Sequence, residues 1–309
     1  MTKNLYLCNY FLTLKLSLMK KQIIRLLWAS VCGVMLLTGV SCEKMDLTDD
    51  DGGGLEANVV LSIGSIEQVP FPVVTRATIE ELCTRLCFHI YDDEGIRVDY
   101  VNQKSDEPNF GVASFLLEKG HYYLVVVGHN GSKNPSFSAN EKVSISGDNM
   151  GDTFWYSEDF EVGDGQVRKE LPLRRIVSQL QFVPTVTPPA DLDHVVFKYK
   201  GSKGTFNGLT GYGSTTASQT VKVYPNGDEQ QYSFFMIPRG EEDVIDISMM
   251  AYDSEIRGLG GCSIDEVPVK RDRITICRGN LFDGGINSAS VFISVTIDDS
   301  WGENIVINI

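Results

Sequence analysis

The sequence predicts an all-β protein, built as two β-sandwich domains. Three observations carry that expectation. From residue 55 onward apolar residues alternate with period two rather than 3.6. The apolar runs are short, β-branched and bounded by Gly, Pro, Asn and Asp. The pattern occurs twice, with about seven short strands on each side of a break marked by Pro184, Pro188 and Pro189.

The first 41 residues stand apart from this pattern. They hold five Lys/Arg and no Asp or Glu. Lys20, Lys21 and Arg25 form a basic stretch, Leu26 to Val40 is an apolar run of signal-peptide length, and Gly39 and Ser41 are small residues just before Cys42. This is the layout of a lipoprotein signal, with Cys42 as the acylated residue. It departs from the usual pattern in having Gly39 where Leu is common. A plain secretory signal cut near Ser41 is the alternative. Met19, followed by two lysines, reads as the true start, and residues 1–18 are left out of the fold argument.

Removing 1–41 leaves 22 basic and 41 acidic residues, a net charge of −19. Such a field repels nucleic acid and anionic lipid, so membrane attachment has to come from acyl chains. Residues 42–54, "CEKMDLTDDDGGG", have no period and read as an acidic flexible tether. Four cysteines remain beyond Cys42, too few for a disulfide scaffold. Strand spacing argues against pairing Cys83 with Cys87. A turn centred near Arg271–Asp272 would leave Cys262 out of register with Cys277.

The N-terminal sandwich is expected over 55–173 and the C-terminal one over 174–309. "NVVLSIGS" is a plausible first strand. "TIEEL" at 78–82 is the sole helical candidate and leans towards strand. In "LCTRLCFHIYDDEG", Leu82, Leu86, Phe88 and Ile90 share one face, and Cys83, Arg85, Cys87, His89 and Tyr91 the other. "GHYYLVVVGHN" is apolar on both faces and reads as a central strand. Arg174 to Phe182 reads as one strand opening the second half, and Pro-Asn-Gly-Asp at 225–228 as a hairpin turn.

Three stretches taken together resemble a known family. "LLEKGHYYLVVVGHN" is similar to a strand of Bacteroidetes fimbrillins, and "LPLRRIVSQLQF" to the entry of their second domain. "VPVKRDRITICRGNLF" resembles a segment near the C-terminus of FimB-type fimbrial anchor proteins, with Asp272 where Asn is usual. The resemblance implies transthyretin-like sandwiches in a type V pilus. It also implies an outer-membrane, surface-exposed lipoprotein with pilin subunits as partners, joined by strand donation. Asp49 to Asp51 resemble an acidic surface-export signal, although a soluble spacer fits the same residues. Pilins of the superfamily are cut after an Arg near the first strand. Arg76 stands where that cut would fall, and an anchor is expected to keep 42–76 attached.

Chemistry-bearing constellations are sparse. His121 and His129 are ~26 Å apart along a strand, too far to share a metal. "DNMGD" at 148–152 reads as a turn rather than a calcium loop. Phe154, Trp155 and Tyr156, or Trp301, are the candidate sugar-stacking residues for the alternative function, a glycan-binding surface lipoprotein of a polysaccharide uptake system. Nucleophile elbows, phosphate-cradling loops and CxxC pairs are absent from the sequence, so neither an enzyme nor a cofactor is expected.

Overall fold

The computed structural model describes residues 56–69, 79–146, 150–225, 231–282, 293–298 and 303–306; Cys42, the tether, Arg76 and Trp301 lie outside them. In chain order the first half runs β1 (Val59–Val69), α1 (Ile79–Leu82), β2 (Arg85–Tyr91), β3 (Arg97–Lys104), β4 (Val112–Phe115), β5 (Gly120–His129), β6 (Ser136–Ala139), β7 (Lys142–Ser144), β8 (Thr153–Val162) and β9 (Val167–Arg175). The second half runs β10 (Ser178–Pro184), β11 (Leu192–Lys200), β12 (Thr205–Phe206), β13 (Ser218–Val223), β14 (Tyr232–Met236), β15 (Glu242–Asp253), β16 (Gly258–Lys270), β17 (Ile274–Gly279), β18 (Ile293–Asp298) and β19 (Glu303–Val306). The protein is all-β, as the alternation predicts.

Eight strands form the first sheet, in the order β19-β1-β9-β8-β5-β2-β3, with β4 also on β1. Its two leaves touch through a two-rung ladder only, Phe154 opposite Arg175 and Trp155 opposite Arg174. The leaves fold over a shared apolar core: Leu61, Ile63 and Leu171 come from one, Phe88, Leu124 and Val126 from the other. That is a sandwich made from one sheet, with side chains of period two filling the space between its leaves. β5 pairs between β2 and β8, and both its faces are apolar because Leu124 and Val126 enter this core while Val125 and Val127 enter another cluster on the outer face.

In the second half two four-stranded sheets, β14-β10-β17-β18 and β13-β11-β15-β16, enclose a second core that includes Phe182, Phe197, Tyr232, Met249 and Cys277. A third cluster ties the halves together. Tyr91, Val125 and Val127, on the outer face of the first sheet, pack against Val143, Ile176, Val177, Phe206 and Ile237. β12, from the second half, pairs with β7 from the first.

Four local expectations are corrected. Residues 79–82 are helical, with the Cys83 N–H closing the turn on the Ile79 carbonyl. Because Cys83 therefore precedes the strand, its side chain joins Leu86, Phe88 and Ile90 in the first core instead of sharing a face with Cys87. The stretch 174–182 is two strands, separated at Ile176–Val177. The segments flanking Pro-Asn-Gly-Asp do not make a hairpin: β13 pairs with β11 and β14 with β10, so the chain crosses between sheets there and both strands bury a face in one core.

The cysteine argument also changes. A turn does sit at 271–272, but β16 and β17 enter opposite sheets and never form the register assumed for Cys262 and Cys277. Cys83, Cys87, Cys262 and Cys277 are all free thiols. Burial pushes Cys87 and Cys277 up to about 12 and Cys262 to about 11, so they act as small apolar side chains.

Candidate interaction site

β1 is the strand on which the first sheet is assembled. Val59, Leu61, Ile63 and Ile66 are fully buried at alternate or near-alternate positions, as a strand covered on its inner face requires. One side of β1 pairs in parallel with β9 from Val59–Val167 to Glu67–Arg174. Its other side is shared end to end. β4 covers Val59 to Ser62, and β19 covers Ser65 to Val69 in antiparallel pairing with Val306 to Glu303. An edge of main-chain donors and acceptors that would otherwise be open at the second half of β1 is thus occupied by the chain's own last strand. β3, at the far end of the sheet, pairs among the described residues with β2 alone.

At the end of β8 and β9 the two halves meet around Arg175, which is completely buried. Its Nε and Nη2 donate to the two carboxylate oxygens of Asp152 at 2.7 and 2.8 Å, and Nη1 donates to Asp272 Oδ1 at 2.7 Å. The guanidinium also lies 5.1 Å from the Phe154 ring. Asp272 sits at φ 57°, a left-handed conformation that Asp and Asn tolerate through short polar side chains, and its N–H donates to the Val177 carbonyl. Burial works against the Arg175 charge, but the two carboxylates more than offset it and hold the group above its usual range. Burial lifts Asp272 above the usual carboxylate range despite Arg175 and Arg273. Both oxygens of Asp152 are taken, so the carboxylate considered for a calcium loop serves the ion cluster instead.

The three candidate sugar-stacking residues, Phe154, Trp155 and Tyr156, do not share one face: Phe154 is buried and the other two are half-buried. Alternation sends Phe154 and Tyr156 to one face and Trp155 to the other. Phe154 is fully buried in the first core, and Tyr156 packs against it. Trp155 lies in the third cluster, its indole N–H donating to the Gly208 carbonyl at 2.6 Å and Arg271 5.7 Å over its ring. Gly211, at φ 72°, permits that approach: a Cβ there would sit 2.9 Å from the Trp155 ring and 2.6 Å from Arg271 Nη2.

His121 and His129 share a face of β5 but have separate surroundings. His121 places Nδ1 2.6 Å from Asp93 and Nε2 3.2 Å from Asp159. Hydrogen bonds to Asp93 and then Asp159 raise its pKa, and the His121 hydrogen bond lowers that of Asp159. The sign follows directly. The raised imidazole stabilises the fold fully below about 6.5, and that contribution is lost as pH rises through its folded value. The depressed Asp159 contributes above about 4, and its share is lost as pH falls through its folded value. The melting temperature is therefore expected to fall between about pH 6 and 8, and His121→Gln should flatten that slope. An unchanged slope in the variant would remove His121 as its source. His129 is buried, and burial, with a smaller push from Arg85, takes it down to about 4. Among the described residues no group of three or more His, Cys, Asp or Glu is placed to hold a metal.

Arg175 and β19 were not singled out from the sequence. Both arginines fall at the start of the stretch 174–182 that reads as one strand, and the signal available was an arginine entering an otherwise apolar run.

Comparison with known proteins agrees with this architecture. A family model described as a family of unknown function, DUF6562, matches residues 135–309. No curated protein matches the chain in sequence. Among solved structures, a candidate adhesin from Bacteroides ovatus is similar at a TM-score of 0.51 and 10% identity, covering 85% of this chain and 98% of that one. The fimbrial anchor protein Mfa2 from Porphyromonas gingivalis is similar at 0.46 and 11% identity, covering 81% and 99%. The tip fimbrial protein Mfa3 from the same organism, with C-terminal truncation, is similar at 0.40 and 11%, covering 78% and 99%.

Proposed function

The chain belongs to the family DUF6562, and from that membership, the sandwich fold and the N-terminal sequence we propose that it is a surface lipoprotein that anchors or forms part of a fimbria. In this reading residues 1–41 are the signal peptide, Cys42 carries the lipid, and 42–54 hold the body off the outer membrane. The folded body, divided near residue 173 into two sandwich domains, engages pilin subunits by strand addition. The observation that supports this most directly is β1 with β19 on its outer side. The same backbone edge that accepts the chain's own strand has the geometry to accept a strand from another subunit, with main-chain hydrogen bonds giving affinity. The Bacteroides ovatus neighbour is itself described as a candidate adhesin, which fits a surface role.

The lipid part of the reading has a simple test in the native host. Cys42→Ala should move the protein from the detergent phase to the soluble fraction or leave it as unprocessed chain, and fimbriae should appear free in the medium. Membrane attachment unaltered by that substitution would refute the anchor.

A further inference from the structure

β5 ends at His129 and runs into Asn130-Gly131, and the backbone there is set up for chemistry. Asn-Gly is the dipeptide in which a side-chain amide and the next backbone nitrogen meet with least obstruction, since glycine brings no Cβ. The Gly131 N–H donates to His129 Nδ1 at 3.0 Å, inside the protein. Asn130 itself is exposed, so water reaches its side chain. We propose that Asn130 is a self-modification site, deamidated through a succinimide with His129 as the base on the Gly131 nitrogen.

The step balances with water as the sole co-reactant. The Gly131 nitrogen bonds to Asn130 Cγ as its proton passes to His129 Nδ1. That proton then goes to the side-chain nitrogen, the C–N bond breaks, and ammonia leaves. Water opens the five-membered ring at either carbonyl, leaving Asp or isoaspartate at 130. Burial keeps His129 neutral above about pH 5, so its Nδ1 lone pair is present throughout the physiological range; the same shift weakens it as a base, which holds the expected acceleration to about tenfold, below the roughly hundredfold or more of a base matched to the pH. The product has a structural address. The Asn130 N–H donates to the Asp152 carbonyl at 3.3 Å, and its side chain lies against Gly151. Conversion thus adds a negative charge beside Gly151, the residue before the one whose carboxylate holds Arg175.

A second Asn-Gly pair provides the internal comparison. Asn207 Oδ1 accepts the N–H groups of Leu209 at 2.8 Å and Thr210 at 3.2 Å, and the Gly208 carbonyl holds the Trp155 indole. That side chain is pinned in an Asx turn, and among the described residues no base lies on its glycine nitrogen.

The test is peptide mapping by mass spectrometry after timed incubation of the whole protein at pH 7.5, native and in urea, with isoaspartate scored at each Asn-Gly. The expected result is conversion at Asn130 about tenfold faster in the native protein than in urea, and faster than at native Asn207. His129→Gln should remove the native acceleration. The native-against-urea comparison stands even if that variant fails to fold. Native conversion at Asn130 no faster than in urea would overturn the proposal. So would retention of the acceleration in a folded His129→Gln protein.

Discussion

Replacing Arg175 by methionine is expected to lower folding stability by about 3–5 kcal/mol, the range for breaking a buried pair from one side. The side chain is fully buried, and two carboxylates point at it from elements distant in sequence, Asp152 at the start of β8 and Asp272 between β16 and β17. Methionine fills much of the volume but donates nothing. The two carboxylates then stay buried without a cation, or take up protons at neutral pH. Arg175→Lys should fall between, because one ammonium cannot reproduce the paired contacts to Asp152 and still reach Asp272. Removing the charges together, as Arg175→Met with Asp152→Leu and Asp272→Leu, should recover much of the loss, since a well-packed apolar replacement of an ion cluster is often close to neutral. Urea unfolding of the single and triple variants measures both. A loss below about 1 kcal/mol in the single variant would mean that the cluster is solvated and holds nothing together.

What the sequence made readable was whatever depends on neighbours along the chain. Period two put Leu86, Phe88 and Ile90 on one face of β2, and all three lie in the first core, because each side chain's direction is set by its own strand. The continuous apolar run Leu124 to Val127 signalled a strand covered on both faces, and both faces are covered. What stayed hidden depends on partners far away. Asp272 and Arg175 meet across 97 positions, and no local pattern carries that distance. The sequence offered one trace of it: Asp272 stands where the resembling family has Asn. Both residues tolerate the left-handed backbone found there, but only the carboxylate brings a charge to Arg175. The Pro-Asn-Gly-Asp turn misled for a related reason. Its chemistry reverses the chain equally well within one sheet or between two, and the choice was made by which core β13 and β14 could share. Cys83 was misassigned because one turn of helix before β2 resets the alternation. The aromatic run at 154–156 is divided in space because a strand sends adjacent side chains to opposite faces, Phe154 and Tyr156 to the first core and Trp155 to the third cluster.

The largest effect of all is expected from separating β1 from the rest of the protein. Cleavage after Arg76, where pilins of the resembling family are cut, would in the proposed reading make residues 42–76 a separate peptide, carrying both the lipidation residue Cys42 and β1. The structure gives that peptide much to hold. Val59, Leu61, Ile63 and Ile66 are fully buried, and exposing each would cost about 1.5–3 kcal/mol in lost burial. The strand also pairs along both sides, with β9 on one and β4 and β19 on the other. A sum of that size is comparable with the whole stability of a typical domain, so the body would not keep its fold after losing β1 unless another strand took its place. An anchor has no such replacement and must retain its lipid; a polymerising pilin receives its replacement from the next subunit. Residues 42–76 are therefore expected to remain covalently attached in protein from outer membranes. Purified protein nicked after Arg76 by an arginine-specific protease should keep the peptide bound in native gels. Mild denaturant should release it, and the body should unfold in the same transition. N-terminal sequencing of protein from outer membranes and from sheared fimbriae decides the matter in the cell. An N-terminus at Ala77 in assembled fibres would identify a polymerising subunit whose β1 is exchanged for a neighbour's strand, and the anchor reading would fall.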